Sequence, residues 1–239
     1  MYDPALGRFH VQDRFAEKYI SLTPYQYGAN NPIYFIDANG DSIVSITRNK
    51  NQILIENSPT EEGGENFTNT INLTGRSVKQ GDISDKSASV VNDAMVAAGD
   101  NEVNITSGKR TAKDQARIMY NNLEGTGKGK GVDAQKKLYG PNGDKVIDTY
   151  VYSKKMDIFG KVDPSQIMQS METQIIQLGP ETVSKHCSND ANLNVFDVDP
   201  VSLSESGLKS FQTALSNDTR VSKMIKYPKD PGIHIIIKL

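Results

Sequence analysis

Tryptophan is absent from this chain, cysteine occurs once and histidine three times. The single cysteine, Cys187, cannot form an internal disulfide, so no covalent staple holds the fold; oxidising and reducing compartments both tolerate such a thiol. No apolar run approaches the roughly 20 residues that span a bilayer, which argues against a transmembrane segment. The polar start Met1-Tyr2-Asp3-Pro4 lacks the charged-then-apolar layout of a secretory signal, so export would depend on another polypeptide or a larger parent. A basic surplus is missing too: 27 Lys and Arg face 29 Asp and Glu, for a net charge of −2. There is no global positive field with which to neutralise phosphates, and a nucleic-acid partner is not expected.

What is present suits a water-exposed globular fold. A chain of 239 residues is long enough for one sizeable domain plus an appendage, without staples. Hydrophobic residues make up 36%, but with only 7 Phe and a mean hydropathy of −0.51 the core should be lean and the loops generous.

Residues 1–42 read as a β segment, because Asp3-Pro4, Gly7, Asn30-Asn31-Pro32 and Asn39-Gly40 punctuate aromatic-rich stretches with turns. Residues 43–87 offer two strands, Ser42–Thr47 and Gln52–Glu56, followed by a Gly/Asn/Thr/Ser-rich passage that reads as a linker or loose β-meander. From residue 88 to 239 the spacing predicts a helix over 88–98, a strand over 103–108 and a helix over 111–124 with Thr111 as its N-cap. It then predicts a strand at Lys145–Ser153, a helix at Pro164–Leu178, a strand at Asn194–Val198 and a helix at Ser206–Leu215. Strands at Met224–Tyr227 and Ile233–Lys238 complete an α+β pattern with no βαβ rhythm. The glycine- and lysine-rich stretch 125–131 is a loop; it does not end in the Gly-Lys-Ser/Thr of a phosphate loop.

His10 belongs to the N-terminal β segment, which leaves His186 and His234. With Asp197 they supply two imidazoles and a carboxylate on separate elements, the donor set of a catalytic zinc, which takes three protein ligands and keeps a position for water. Strand alternation aims Asp197 and Asp199 to one face and Phe196 and Val198 into the core, so one carboxylate can bind metal while the other orients a neighbour. Cys187 invites a thiol-peptidase reading with His234 as base, although a small buried cysteine is the commoner situation.

Three stretches in order, Thr106-Ser107-Gly108-Lys109-Arg110-Thr111 with Gln115, Ser184-Lys185-His186 with Val195-Phe196-Asp197, and Asp230 with His234, resemble the motifs of D-Ala-D-Ala carboxypeptidase/Hedgehog-type zinc peptidases. The resemblance covers residues 88–239 and implies a Hedgehog/DD-peptidase-like domain with zinc on His186, Asp197 and His234. It further implies Asp230 as general base and Arg110 as the grip on a substrate carboxylate or developing oxyanion, with Gln115 and Ser184 also binding substrate. Peptidoglycan stem peptides are the substrate it suggests, cut by a carboxypeptidase or an endopeptidase. This chain departs from the family pattern in an inserted Cys187–Asn194 loop between His and Asp, and in an acid one residue further from the last His.

Met1–Asp13 and Pro24–Asp41 resemble the closing stretch of the Rhs/YD-repeat core found upstream of polymorphic toxin domains. In Ile36-Asp37-Ala38-Asn39-Gly40, Ala38 stands where the proline of that family's self-cleaving junction belongs. The resemblance implies an effector tip, an immunity protein as partner, and delivery by a secretion system or within a larger Rhs protein to the periplasm or wall of a target cell. Two other readings stay open. One is a nuclease-type toxin using His186, Asp199 and lysines on a phosphodiester; the other is a non-catalytic zinc or cell-wall-binding module.

Overall fold

The computed structural model describes residues 2–3, 5–12, 23–27, 36–37, 43–57, 66–127, 129–157 and 162–239. The turns expected at Asn30-Asn31-Pro32 and Asn39-Gly40, and Ala38 of the junction motif, lie outside these residues. In chain order the elements are β1 (Tyr2–Asp3), β2 (Arg8–Phe9), β3 (Ile36–Asp37), β4 (Ile43–Asn49), β5 (Gln52–Asn57), β6 (Phe67–Leu73), α1 (Asp85–Ala98) and β7 (Glu102–Ser107). They continue with α2 (Ala112–Glu124), α3 (Val132–Leu138), α4 (Pro141–Met156), α5 (Pro164–Leu178), α6 (Pro180–Val183), β8 (Leu193–Val198), α7 (Glu205–Asn217), β9 (Val221–Ile225) and β10 (Ile233–Lys238). The fold is α+β. None of the helices among the described residues is long and apolar enough to cross a membrane.

Strands β1 and β2 form a small hairpin whose turn is set by Asp3: its Oδ1 accepts the Ala5 amide at 2.9 Å and the Leu6 amide at 3.3 Å. His10 pairs with Asp3 at 3.2 Å, which keeps the third histidine in this hairpin. The other eight strands form one mixed sheet in the order β3-β4-β5-β6-β7-β8-β10-β9. β6 and β7 run parallel and all other neighbours are antiparallel.

Alternation along these strands sends Ile53 and Ile55, Val103 and Ile105, Phe196 and Val198, and Ile233 and Ile235 to one face, where they meet Val91 and Met95 of α1 and Phe211 of α7. Burying each such side chain contributes roughly 1.5–3 kcal/mol. Helix α1 starts on Ser84, whose hydroxyl accepts the Ser87 amide at 3.1 Å, a cap that contributes about 1 kcal/mol.

Within the segment 43–87, the described strands β5 and β6 pack tightly. Ile53, Ile55 and Ile71 are 0% exposed, and β6 joins the meander to β7. Asn69 on β6 is buried as well; its amide donates at 2.8 Å to Asn92 of α1, which in turn donates at 2.6 Å to Asn57 of β5. Arg48 of β4 closes the other end, donating to the carbonyls of Gln80 and Ile83 at 2.9 Å each and pairing with Asp85 at 2.6 Å. Meander and α1 therefore share one core.

A second core lies among the helices, where α2 supplies Ala116 and Met119, α4 supplies Val146, Ile147 and Tyr150, and α5 supplies Ile167, Met171 and Ile175. Here the structure corrects the strand expected at Lys145–Ser153, which lies within α4. Its β-branched and aromatic residues favour a strand locally, but positions 146, 147 and 150 fall on one helical stripe that packs on α5. The strand expected at Met224–Tyr227 starts and ends earlier, as β9.

Candidate metal centre

The site grows from one row of residues across the sheet. Asp197 on β8 is the register partner of Ser107 on β7 and of His234 on β10. Phe196, Val198, Ile233 and Ile235 occupy the alternate positions and fill the core beneath, so Asp197 and His234 rise from the opposite face. His234 Nδ1 stands 2.8 Å from Asp197 Oδ1.

His186 arrives from a 3-10 turn, Lys185–Cys187, that follows the short helix α6. Two hydrogen bonds seat it against the Ser107–Arg110 segment: the Arg110 amide donates to the His186 carbonyl at 2.8 Å, and His186 Nδ1 donates to the Gly108 carbonyl at 2.9 Å. A carbonyl can only accept, so Nδ1 carries a proton and Nε2 is the ring nitrogen turned toward the site. That Nε2 lies 3.2 Å from the Asp197 carboxylate. Gly108 admits no side chain here, because a Cβ would come within 2.6 Å of Asp82 Oδ2.

Either a proton on Nε2 donated to the carboxylate or a metal ion shared by the two groups accounts for this approach. The ligand atoms of His186, Asp197 and His234 all lie within 4.8 Å of one another, and the three residues can hold a metal ion. Two imidazoles and a carboxylate suit a borderline-soft divalent ion that retains an open coordination position, and the carbonyl behind His186 is the kind of outer support that orients a metal-bound imidazole. Burial raises the pKa of the Asp197 carboxyl, but the adjoining His186 and His234 more than reverse this, leaving it well below the ordinary carboxylate range.

Arg110 completes the centre. Its Nη2 reaches Asp197 Oδ2 at 3.4 Å, its Nε donates to Ser107 Oγ at 2.9 Å, and its Nη1 donates to Gln115 Oε1 at 3.0 Å. Thr111 behaves as expected, its hydroxyl accepting the Asp114 amide at 3.1 Å to start α2 just beyond. Asp230 lines the same cleft, where burial raises its carboxyl above the ordinary range, partly opposed by a hydrogen bond from the Gly232 amide. The cleft, about 940 Å³, lies between the sheet and the helices α2, α3 and α6, and Ser184 is on its wall.

Of the residues expected to act here, His186, Asp197, His234, Arg110, Ser184 and Asp230 meet in this cleft. Gln115 differs: it is 0% exposed and both ends of its amide are engaged, so it supports Arg110 rather than touching substrate. Asp199 lines the cleft too, and its Oδ1 also accepts the Val201 amide at 3.0 Å to cap the turn Pro200–Ser202. Cys187 is buried, its thiol pushed up to about 11 chiefly by burial, and its Sγ faces the Thr111 carbonyl at 3.9 Å. Such a thiol stays protonated at neutral pH, which speaks against the thiol-peptidase reading. Sequence reasoning missed Tyr139, whose hydroxyl lies 2.9 Å from Gln115 Nε2; no motif marks it. No family model, curated protein or solved structure matches this chain.

Proposed function

We propose that this protein is a zinc-dependent peptidase of the D-Ala-D-Ala carboxypeptidase/Hedgehog type, that it cuts peptidoglycan stem peptides, and that it acts as the effector tip of an Rhs-type toxin on a target cell's wall. The observation that carries the reading is the convergence of His186, Asp197 and His234 within 4.8 Å, in a cleft that also holds Arg110 and Asp230. Zinc bound there would supply Lewis-acid activation of a water and of the scissile carbonyl. Asp230, ionised, would accept a proton from the attacking water and pass it to the leaving amine.

Arg110 is the group that would meet negative charge. A guanidinium has five N–H donors, and four are engaged by Ser107, Gln115 and Asp197, which leaves one on Nη1 for a substrate oxygen. Held by three neighbours, it pays little conformational entropy when it binds. The absence of a basic surplus speaks against the nuclease reading.

Purified zinc-loaded protein should release soluble products from isolated peptidoglycan. Free D-alanine identifies a carboxypeptidase and split cross-links identify an endopeptidase. No product from peptidoglycan or from free stem peptides, with zinc bound, would overturn the assignment.

A further inference from the structure

Tyr139 follows α3 and lines the cleft, although none of the sequence motifs includes it. Among the described residues its hydroxyl has one partner, Gln115 Nε2 at 2.9 Å. The direction of that hydrogen bond follows from chemistry. Arg110 can only donate, so the Gln115 atom 3.0 Å from its Nη1 must be the carbonyl oxygen. The amide nitrogen therefore faces Tyr139 and donates, and the phenol oxygen accepts. The phenol's own proton then has no acceptor among the described residues. Burial, the largest influence on this phenol, raises its pKa, so that proton is held at neutral pH.

A second feature shows that the ring is placed with care. Gly143 lies in the first turn of α4, in a helix that glycine disfavours relative to alanine. A Cβ there would come within 2.5–2.8 Å of Tyr139 Cβ, Cδ1 and Cγ. The helix thus gives up stability at a position where any side chain would drive the ring from its seat. Ring seat, Gln115 and Arg110 together form one chain of contacts ending at Asp197.

We infer that Tyr139 is a substrate-binding residue: its hydroxyl donates a hydrogen bond to an anionic oxygen of the peptide, beside the free N–H of Arg110. This rests on the peptidase reading above. The oxygen belongs either to the peptide's terminal carboxylate or to the oxyanion that develops at the scissile carbonyl. In either case Gln115 is a positioning residue, tying the phenol to the guanidinium so that two donors address one oxygen.

The test compares wild type, Tyr139→Phe and Gly143→Ala, all zinc-loaded, by calorimetric binding of a dipeptide phosphinate and by kcat and KM on a stem peptide. Tyr139→Phe keeps the ring and should keep stoichiometric zinc, but should bind the phosphinate about tenfold more weakly, the scale of one lost hydrogen bond to a charged group. Gly143→Ala should weaken binding in the same direction. A fall in kcat assigns the oxygen to the oxyanion, and a rise in KM for the free acid but not for its amide assigns it to the carboxylate. Equal phosphinate affinity in wild type and Tyr139→Phe, or no phosphinate binding by wild type, overturns the inference. Phosphinate binding that depends on Tyr139, without hydrolysis by wild type, overturns the peptidase reading alone.

Discussion

His234 stands directly opposite Asp197 across the β8–β10 pair, with its Nδ1 2.8 Å from the Asp197 carboxylate. Two of the three metal-competent ligands are thus cross-strand neighbours, and the sheet's own register sets their spacing. Only His186 comes from outside the sheet, and the carbonyl of Gly108 fixes its ring. Replacing His186, Asp197 or His234 with alanine should therefore each abolish stoichiometric zinc binding, a larger loss than the roughly 10–100-fold that follows removal of an outer support. Asp199→Ala should retain the metal and lose about 1 kcal/mol of stability, because it removes a turn cap. Metal analysis of the purified variants checks both, and full zinc in any two of the ligand variants would dissolve the centre.

Arg110 touches Asp197 through one nitrogen and is otherwise held by Ser107 and Gln115. Arg110→Ala should leave zinc in place while lowering kcat/KM on a stem peptide by a factor on the order of 100 or more, the scale of one lost oxyanion contact. Unchanged turnover would return Arg110 to a purely structural role.

Much of this was legible in the chain because two of the candidate ligands lie on strongly patterned strands. Phe196 and Val198 alternate with Asp197, which aims that carboxylate away from the core, but that His234 shares its face follows only from the β8–β10 pairing. Helix α5 could be read to the residue from its apolar stripe, with Pro164 at its start. The meander's compactness could not. Asn69 occupies a buried position on β6, and only its partner Asn92, on a different element, explains how a polar residue is tolerated there. Likewise Val146, Ile147 and Tyr150 read locally as strand, and only packing against α5 makes them helix. The role of Gln115 depended on Tyr139, a residue brought near by α3 and by the slot at Gly143.

Burial raises the Asp230 carboxyl, and this has a signed consequence for the metal-free protein. A carboxyl with a folded pKa above its unfolded value contributes stability that is present below the unfolded pKa and is lost as pH rises through the folded one. Asp230→Asn should therefore raise the melting temperature of the metal-free protein at pH 7 and leave it unchanged near pH 3. The same variant should lose activity on the order of 100-fold with zinc bound, as expected for removal of a general base. An Asp230→Asn melting temperature lower than wild type at pH 7 would contradict the buried-carboxylate account.

The Cys187 thiol, pushed up to about 11, should resist alkylation by iodoacetamide at pH 8 in the folded protein and react once it is unfolded. Cys187→Ala should cost about 1 kcal/mol of stability for the lost buried sulfur and leave zinc content and turnover unaltered. Loss of hydrolysis in a folded, zinc-loaded Cys187→Ala protein would restore the thiol to the reaction.

The central claim, that His186, Asp197 and His234 form a catalytic zinc centre, is tested most directly by titrating zinc into chelator-stripped protein while following stem-peptide hydrolysis. Activity should be absent at the start, rise linearly with added zinc and stop rising at one ion per chain, with no recovery in His186→Ala. Full hydrolysis by stripped protein, or an ion bound at the centre without any hydrolysis, would contradict it.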